Sequence, residues 1–160
     1  MSTTGKIVKM DSLIQRLTAP RAAGKTVALA NGLFDILHVG HLRYLQAASE
    51  EADMLVVALN ADESARRLKG PSRPIVPERE RAELVAGLSC VDFVTLFSDD
   101  DVEPVLRELR PDVHCKGTDY TIETVPEASV AKSLSIRIAI VGDPKGHATR
   151  DIIRRIRESG

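Results

Sequence analysis

The segment NGLFDILHVGH, from Asn31 to His41, places two imidazoles three residues apart, His38 and His41, with Gly40 between them. It follows an apolar run and opens an amphipathic one. A helix N-terminus carries unpaired backbone N–H groups and the positive end of the helix dipole, so it attracts phosphate. Gly40 admits a ligand close to the backbone, and the histidines add side-chain donors. Such donors hold phosphoryl oxygens and stabilise the charge that develops during transfer. Two plainer readings stand beside this one. A histidine at a helix start can be only a cap, and HxxH can be half a metal site. No Cys, Glu or further His completes such a site at ligand spacing, so no metal ligands are assigned. The patterns GxxxxGK[ST] and GxGxxG are both absent. Neither a P-loop NTPase nor a conventional dinucleotide dehydrogenase fits.

The elements that must position these residues alternate along the chain. VALANG reads as a buried strand ending at Gly32, and HLRYLQAASEE as a helix with Leu42, Leu45 and Ala48 at helical spacing. DMLVVALN is continuously apolar, as in a parallel strand buried on both faces. The helix ADESARRL follows, then the loop KGPSRPIV, and Pro77 opens the helix PERERAELVAGL. Next come the strand VDFVTLF, the helix DVEPVLREL, the strands DVHCKG and IRIAIVG, and the helix TRDIIRRIRES. DSLIQRL reads as an N-terminal helix, and Thr118–Ser135 as loop plus a short helix. Strands alternating with helices predict an α/β fold with a doubly wound parallel five-stranded sheet. Residues 1–24 read as an N-terminal helical extension and residues 25–160 as the domain. Ligands bind such sheets outside the carboxyl ends of the strands, where the winding reverses. Asn31–His41, Lys116–Tyr120 and the stretch GDPKGHAT all follow strands, so the unusual polar residues gather at one end of the sheet.

The chain's 160 residues suffice for one core. Lys and Arg total 22 against 23 Asp and Glu, which gives no electrostatic footing for nucleic acid or an acidic membrane. No apolar run approaches a membrane span, and MSTTGKIVKMDS lacks the apolar core of a signal peptide. Cys90 and Cys115 lie in apolar segments and read as reduced core thiols of a cytoplasmic protein.

NGLFDILHVGH resembles the signature of the HxGH nucleotidyltransferase superfamily. The stretch LVVALNADESARRLKGPSRPIVPERERAELVAGLSCVDFVTLF resembles the middle of bacterial heptose-1-phosphate adenylyltransferases, and PDVHCKGTDY resembles their PD-x-x-x-KGGDY segment. These enzymes occur alone or as the C-terminal domain of a bifunctional ADP-heptose synthase, which makes a lipopolysaccharide precursor. The resemblance runs from about Val27 to Arg155. It implies a single Rossmann-like domain, a homodimer, and transfer of AMP from ATP to a sugar 1-phosphate with release of pyrophosphate. Mg²⁺ would enter with ATP, held mostly by the phosphates. The attacking phosphate oxygen is already ionised, so no strong base is needed. A cytidylyltransferase acting on glycerol 3-phosphate or a similar ester, and a non-catalytic nucleotide-binding module, are the alternatives.

The resemblance also implies roles. His38, His41 and Lys69 are the expected catalytic residues, Lys69 as a clamp on phosphate from a mobile KGPSRPI loop; its plainer reading is a solvated loop lysine. Asn31, Gly32, Phe34, Asp35 and Gly40 shape the nucleotide loop, with Asp35 a bracing acceptor rather than a base. Lys116 and Gly117 extend the nucleotide site, although Lys116 can also simply snorkel from the sheet. Arg73 binds the sugar phosphate or structures its loop. Arg81 has the fork geometry for phosphate, but a surface ion pair within ERERAEL is its ordinary reading. Asp119 and Tyr120 are expected at the sugar or base. Asn60 and Asp62 are weaker candidates. The family's last helix usually opens Ser-Thr-Thr or Ser-Thr-Ser, whereas this chain has Ala148-Thr149-Arg150. Thr149 keeps one hydroxyl for the nucleotide, and Arg150, with Lys145 and His147 nearby, compensates by charge.

Overall fold

The computed structural model describes residues 2–144 and 146–160. Five parallel strands form the sheet: β1 (Val27–Gly32), β2 (Met54–Asn60), β3 (Phe93–Phe97), β4 (Val113–Lys116) and β5 (Arg137–Ile140), in the order β3-β2-β1-β4-β5. The winding therefore reverses between β1 and β4, where Ala28 pairs with Val113 and Ala30 with Cys115. A crevice opens there because the connections from the two strands leave on opposite sides.

The helices are α1 (Thr3–Lys6), α2 (Met10–Ala22), α3 (Val39–Ser49), α4 (Asp62–Lys69), α5 (Glu78–Ala86), α6 (Glu103–Leu109), α7 (Ala128–Ser133) and α8 (Thr149–Ser159). Alternate residues of each strand face two separate cores. Ala28, Ala30, Leu55, Val57 and Cys115 pack with Leu45 and Ala48 of α3 and with Ala82, Val85 and Ala86 of α5. Val27, Leu29, Val56 and Ala58 pack with Leu13 and Leu17 of α2 and with Val105, Leu106 and Leu109 of α6. Burial on both faces explains why the strands read as unbroken apolar runs.

The N-terminal helical segment packs onto the sheet: Leu13 and Leu17 are core residues, Ile7 bridges to Val94, and Lys6 Nζ donates to the Val91 carbonyl at 2.7 Å. On α3, Leu42 is exposed, and Tyr44, Leu45 and Ala48 turn inward instead. Cys115 is buried and Cys90 half-buried, both as free thiols. No helix among the described residues is long and apolar enough to cross a membrane.

Candidate active site

The chain leaves β1 at Gly32 and turns sharply to reach α3. Phe34 takes a positive φ of 50°, a strained choice for a bulky residue. That turn buries its ring under the loop and sets it 5.2 Å from the His41 ring. His38 is the N-cap of α3 and His41 its third residue. The two imidazoles stack, with centroids 3.8 Å apart and planes 24° apart. Gly40 makes room for this: a Cβ there would lie 3.0 Å from His38 Cε1 and Nδ1 and 3.2 Å from the His147 Cβ. His41 Nδ1 accepts from the His38 backbone N–H at 3.4 Å. A backbone N–H can only donate, so the proton of the neutral ring sits on Nε2. His41 thus presents a donor to the cleft it borders.

Burial, and then the neighbouring His38, push the His41 imidazolium down to about 4; burial and His147 lower His38 as well. Both rings are therefore neutral donors near neutral pH. Between about 4 and the ordinary value of 6.5 the unfolded chain binds more protons at His41 than the folded chain. His41's share of stability is thus intact above pH 6.5 and lost as the pH falls towards 4. Urea unfolding across that range should show this decline, and His41→Gln should flatten it. An unchanged slope in the variant would mean the ring titrates normally.

Asp35 is 2% exposed and its carboxylate is fully engaged. It accepts from the Ile75 and Val76 N–H groups at 2.9 Å and from Arg73 Nε at 2.6 Å. Burial alone would raise its pKa, but these donors outweigh it and hold the carboxyl below its usual range. Asp35 is a brace that ties residues 73–76 to the first loop. The C-terminal half of the KGPSRPI loop is thereby held against the first loop. Lys69, the last residue of α4, stays exposed at the cleft edge.

Arg81 departs furthest from its expected place. It is 0% exposed and lines neither of the two chambers at the switch point. Its guanidinium donates to the carbonyls of Val76 at 2.8 Å, Leu33 at 2.6 Å and Asn60 at 2.9 Å, and to Asp62 Oδ1 at 2.8 Å. It faces inward with Ala82 and Val85 on α5 and is neither a substrate ligand nor a surface ion pair. It fastens the ends of β1 and β2, the start of α4 and the loop before α5 to one another.

The remaining expected residues border two adjoining chambers, of about 610 Å³ and 370 Å³. His38, His41, Gly40, Phe34, Asp35, Arg73, Thr149 and Arg150 line the larger. Asn31, Asn60, Lys116 and Tyr120 line the smaller, and Gly32, Lys69, Gly117 and Asp119 border both. His147 joins the histidine wall, its ring 6.2 Å from that of His38. Lys145 lies outside the described residues. Sequence reasoning missed Tyr44, which borders both chambers and whose hydroxyl donates to the Cys115 carbonyl at 2.8 Å. Gly142, with a φ of 94°, lets the chain pass Tyr44: a Cβ there would lie 3.3 Å from the Tyr44 Cα. Tyr44 lies one helical turn after His41, on the same side of α3. Also missed were His114 and Glu127, buried beneath Lys116.

An α/β sheet whose switch point carries paired neutral imidazoles at a helix start, flanked by two adjoining chambers large enough for a nucleotide and a second small molecule, has the layout of a nucleotidyltransferase. The chain belongs to the cytidylyltransferase-like family, whose model matches residues 29–152. It is 47% identical over 151 residues to the bifunctional protein HldE of Syntrophotalea carbinolica, and 45% identical over 152 residues to that of Geotalea uraniireducens. These matches cover 94% and 95% of this chain but only 31% of each relative. The crystal structure of a lipopolysaccharide core biosynthesis protein from Thermoplasma volcanium superposes with a TM-score of 0.65 at 29% identity, covering 76% of this chain and all of that one.

Proposed function

We propose that the chain transfers AMP from ATP to a sugar 1-phosphate, heptose 1-phosphate foremost, and releases pyrophosphate. The observation that carries this reading is the stacked His38–His41 pair, held neutral at the start of α3 within the larger chamber. The acceptor's phosphate oxygen attacks the α-phosphorus in line. The new P–O bond forms as the bond to the β-phosphate's bridging oxygen breaks, and the electron pair leaves with pyrophosphate. His41 Nε2–H and the His38 ring donate to the α-phosphoryl oxygens, whose negative charge they stabilise without any proton transfer. Lys69 at the chamber edge, with Thr149 and Arg150 at the start of α8, suits the β- and γ-phosphates.

Among the described residues no three His, Cys, Asp or Glu side chains come together to hold a metal ion. Mg²⁺ would enter with the nucleotide, held on the polyphosphate, where it would neutralise charge on the leaving group. The resemblance of LKGPSRPI and KGTDY to segments of heptose-1-phosphate adenylyltransferases supports the heptose acceptor and ATP as the donor. The same reading extends to a cytoplasmic homodimer. A matrix of ATP and CTP against heptose 1-phosphate and glycerol 3-phosphate, read by pyrophosphate release, tests the assignment. The fastest release is expected from ATP with heptose 1-phosphate. Faster release from CTP would make the protein a cytidylyltransferase, and silence throughout would leave a binding module.

A further inference from the structure

β4 ends at the switch point with a lysine that does not escape to solvent. Lys116 is 8% exposed, and its ammonium lies 3.6 Å from Glu127 Oε1 and 4.8 Å from the centre of the Tyr120 ring. Glu127, the residue before α7, is 5% exposed; its Oε2 lies 3.6 Å from His114 Nε2 and has no hydrogen-bond partner. His114 is 0% exposed, and neither ring nitrogen is hydrogen-bonded. Burial would raise the Glu127 carboxyl, but His114 and the Lys116 charge outweigh it and hold it down to about 2. The carboxylate is thus a fixed negative charge under the lysine.

Buried ions that meet without closing a hydrogen bond are expensive. Native structures rarely leave such groups unsatisfied without a use for them. The use is visible on the lysine's other side. Lys116 forms part of the smaller chamber, together with Lys69, Asn31, Asn60, Asp119 and Tyr120. Asn31 Oδ1 is also buried there without a partner. The Lys116 ammonium, two carboxamides, a carboxylate and an aromatic face suit a ligand that is a phosphate at one end and a polyol at the other, with Lys69 on the border shared with the nucleotide chamber. The histidine wall belongs to the other chamber, so the two phosphate-bearing substrates have adjoining places that share Gly32, Tyr44, Lys69, Gly117 and Asp119 as their border.

We propose that the smaller chamber receives the acceptor sugar phosphate, with Lys116 as its phosphate ligand and Glu127 as the positioning residue that keeps Lys116 in place. This rests on the sugar-phosphate reading above and moves Lys116 from the nucleotide to the acceptor. Glu127 supplies the counter-charge that lets an ammonium stay buried beside the chamber. At 3.6 Å it leaves the ammonium able to turn its donors to an arriving phosphate. The segment between β4 and β5 thereby gains a task, bringing Glu127 under the sheet end.

The test uses the full chain with Lys116→Met, Glu127→Gln, Glu127→Asp and the double variant Lys116→Met/Glu127→Gln. In steady-state pyrophosphate release, Lys116→Met and Glu127→Gln should each raise the KM for heptose 1-phosphate by about tenfold or more. The KM for ATP should stay within about twofold, because the histidine wall is untouched. The double variant should be no worse than Lys116→Met alone, since Glu127 acts through the lysine. Glu127→Asp should recover part of the loss, and it stands in for Glu127→Gln if that variant does not fold. An unchanged acceptor KM, equal changes for both substrates, or additive losses would overturn the proposal. If the parent protein does not turn over heptose 1-phosphate, the functional reading fails separately. Calorimetric titration with inorganic phosphate then decides the pair: weaker binding in both single variants upholds it, while equal binding, or none in the parent, overturns it.

Discussion

His41→Ala should lower kcat by about 10²–10³ while the protein remains folded. The imidazole presents Nε2–H to the larger chamber because its Nδ1 is engaged by the His38 N–H. Removing it deletes one donor aimed at charge that grows only in the transition state. The structural loss is small by comparison. The capping contact is long at 3.4 Å, and such a contact contributes on the order of 1 kcal/mol. The Phe34 ring stays anchored by the buried loop. Turnover by pyrophosphate release, together with the thermal midpoint, separates the two effects. Normal turnover would remove the catalytic assignment. A collapse of the midpoint would make His41 a structural cap.

Arg81→Met should destabilise the fold by about 3–5 kcal/mol. Methionine keeps much of the volume and the helical propensity, so the loss isolates the guanidinium. Three carbonyls, those of Leu33, Asn60 and Val76, would lose a charged donor at once, and Asp62 would lose its partner. The ends of β1 and β2 would no longer be tied to the loop before α5, so nucleotide binding should weaken with stability. Urea unfolding measures the first effect. A variant of unchanged stability with a raised substrate KM would instead return Arg81 to the role of a phosphate ligand.

Arg81 also shows where the sequence stops being legible. ERERAEL contains arginines at positions 79 and 81, and only the helix phase decides which one turns inward. That phase depends on where Pro77 starts α5 and on carbonyls from three other segments. The alternation of strands and helices was readable because a sheet buried on both faces demands unbroken apolar runs. The histidine turn was readable because its residues are contiguous. The buried His114–Glu127 pair beneath Lys116 was not, since the two meet only through the β4–β5 connection, which carries no periodic signal. Tyr44 was hidden differently. It looks like one more apolar position of an amphipathic helix, and its hydroxyl partner lies 71 residues away.

The switch point between β1 and β4 has a kinetic consequence. The backbone of Val27 is joined to Asp112, 85 residues further along the chain. Closing so large a loop delays this pairing relative to the local β–α units on either side. Both chambers open onto that seam, so neither half of the chain has a complete binding surface before the seam closes. A nascent or partly unfolded chain therefore lacks a complete site for a ligand. Ligand occupancy instead reports on, and reinforces, the whole fold at once.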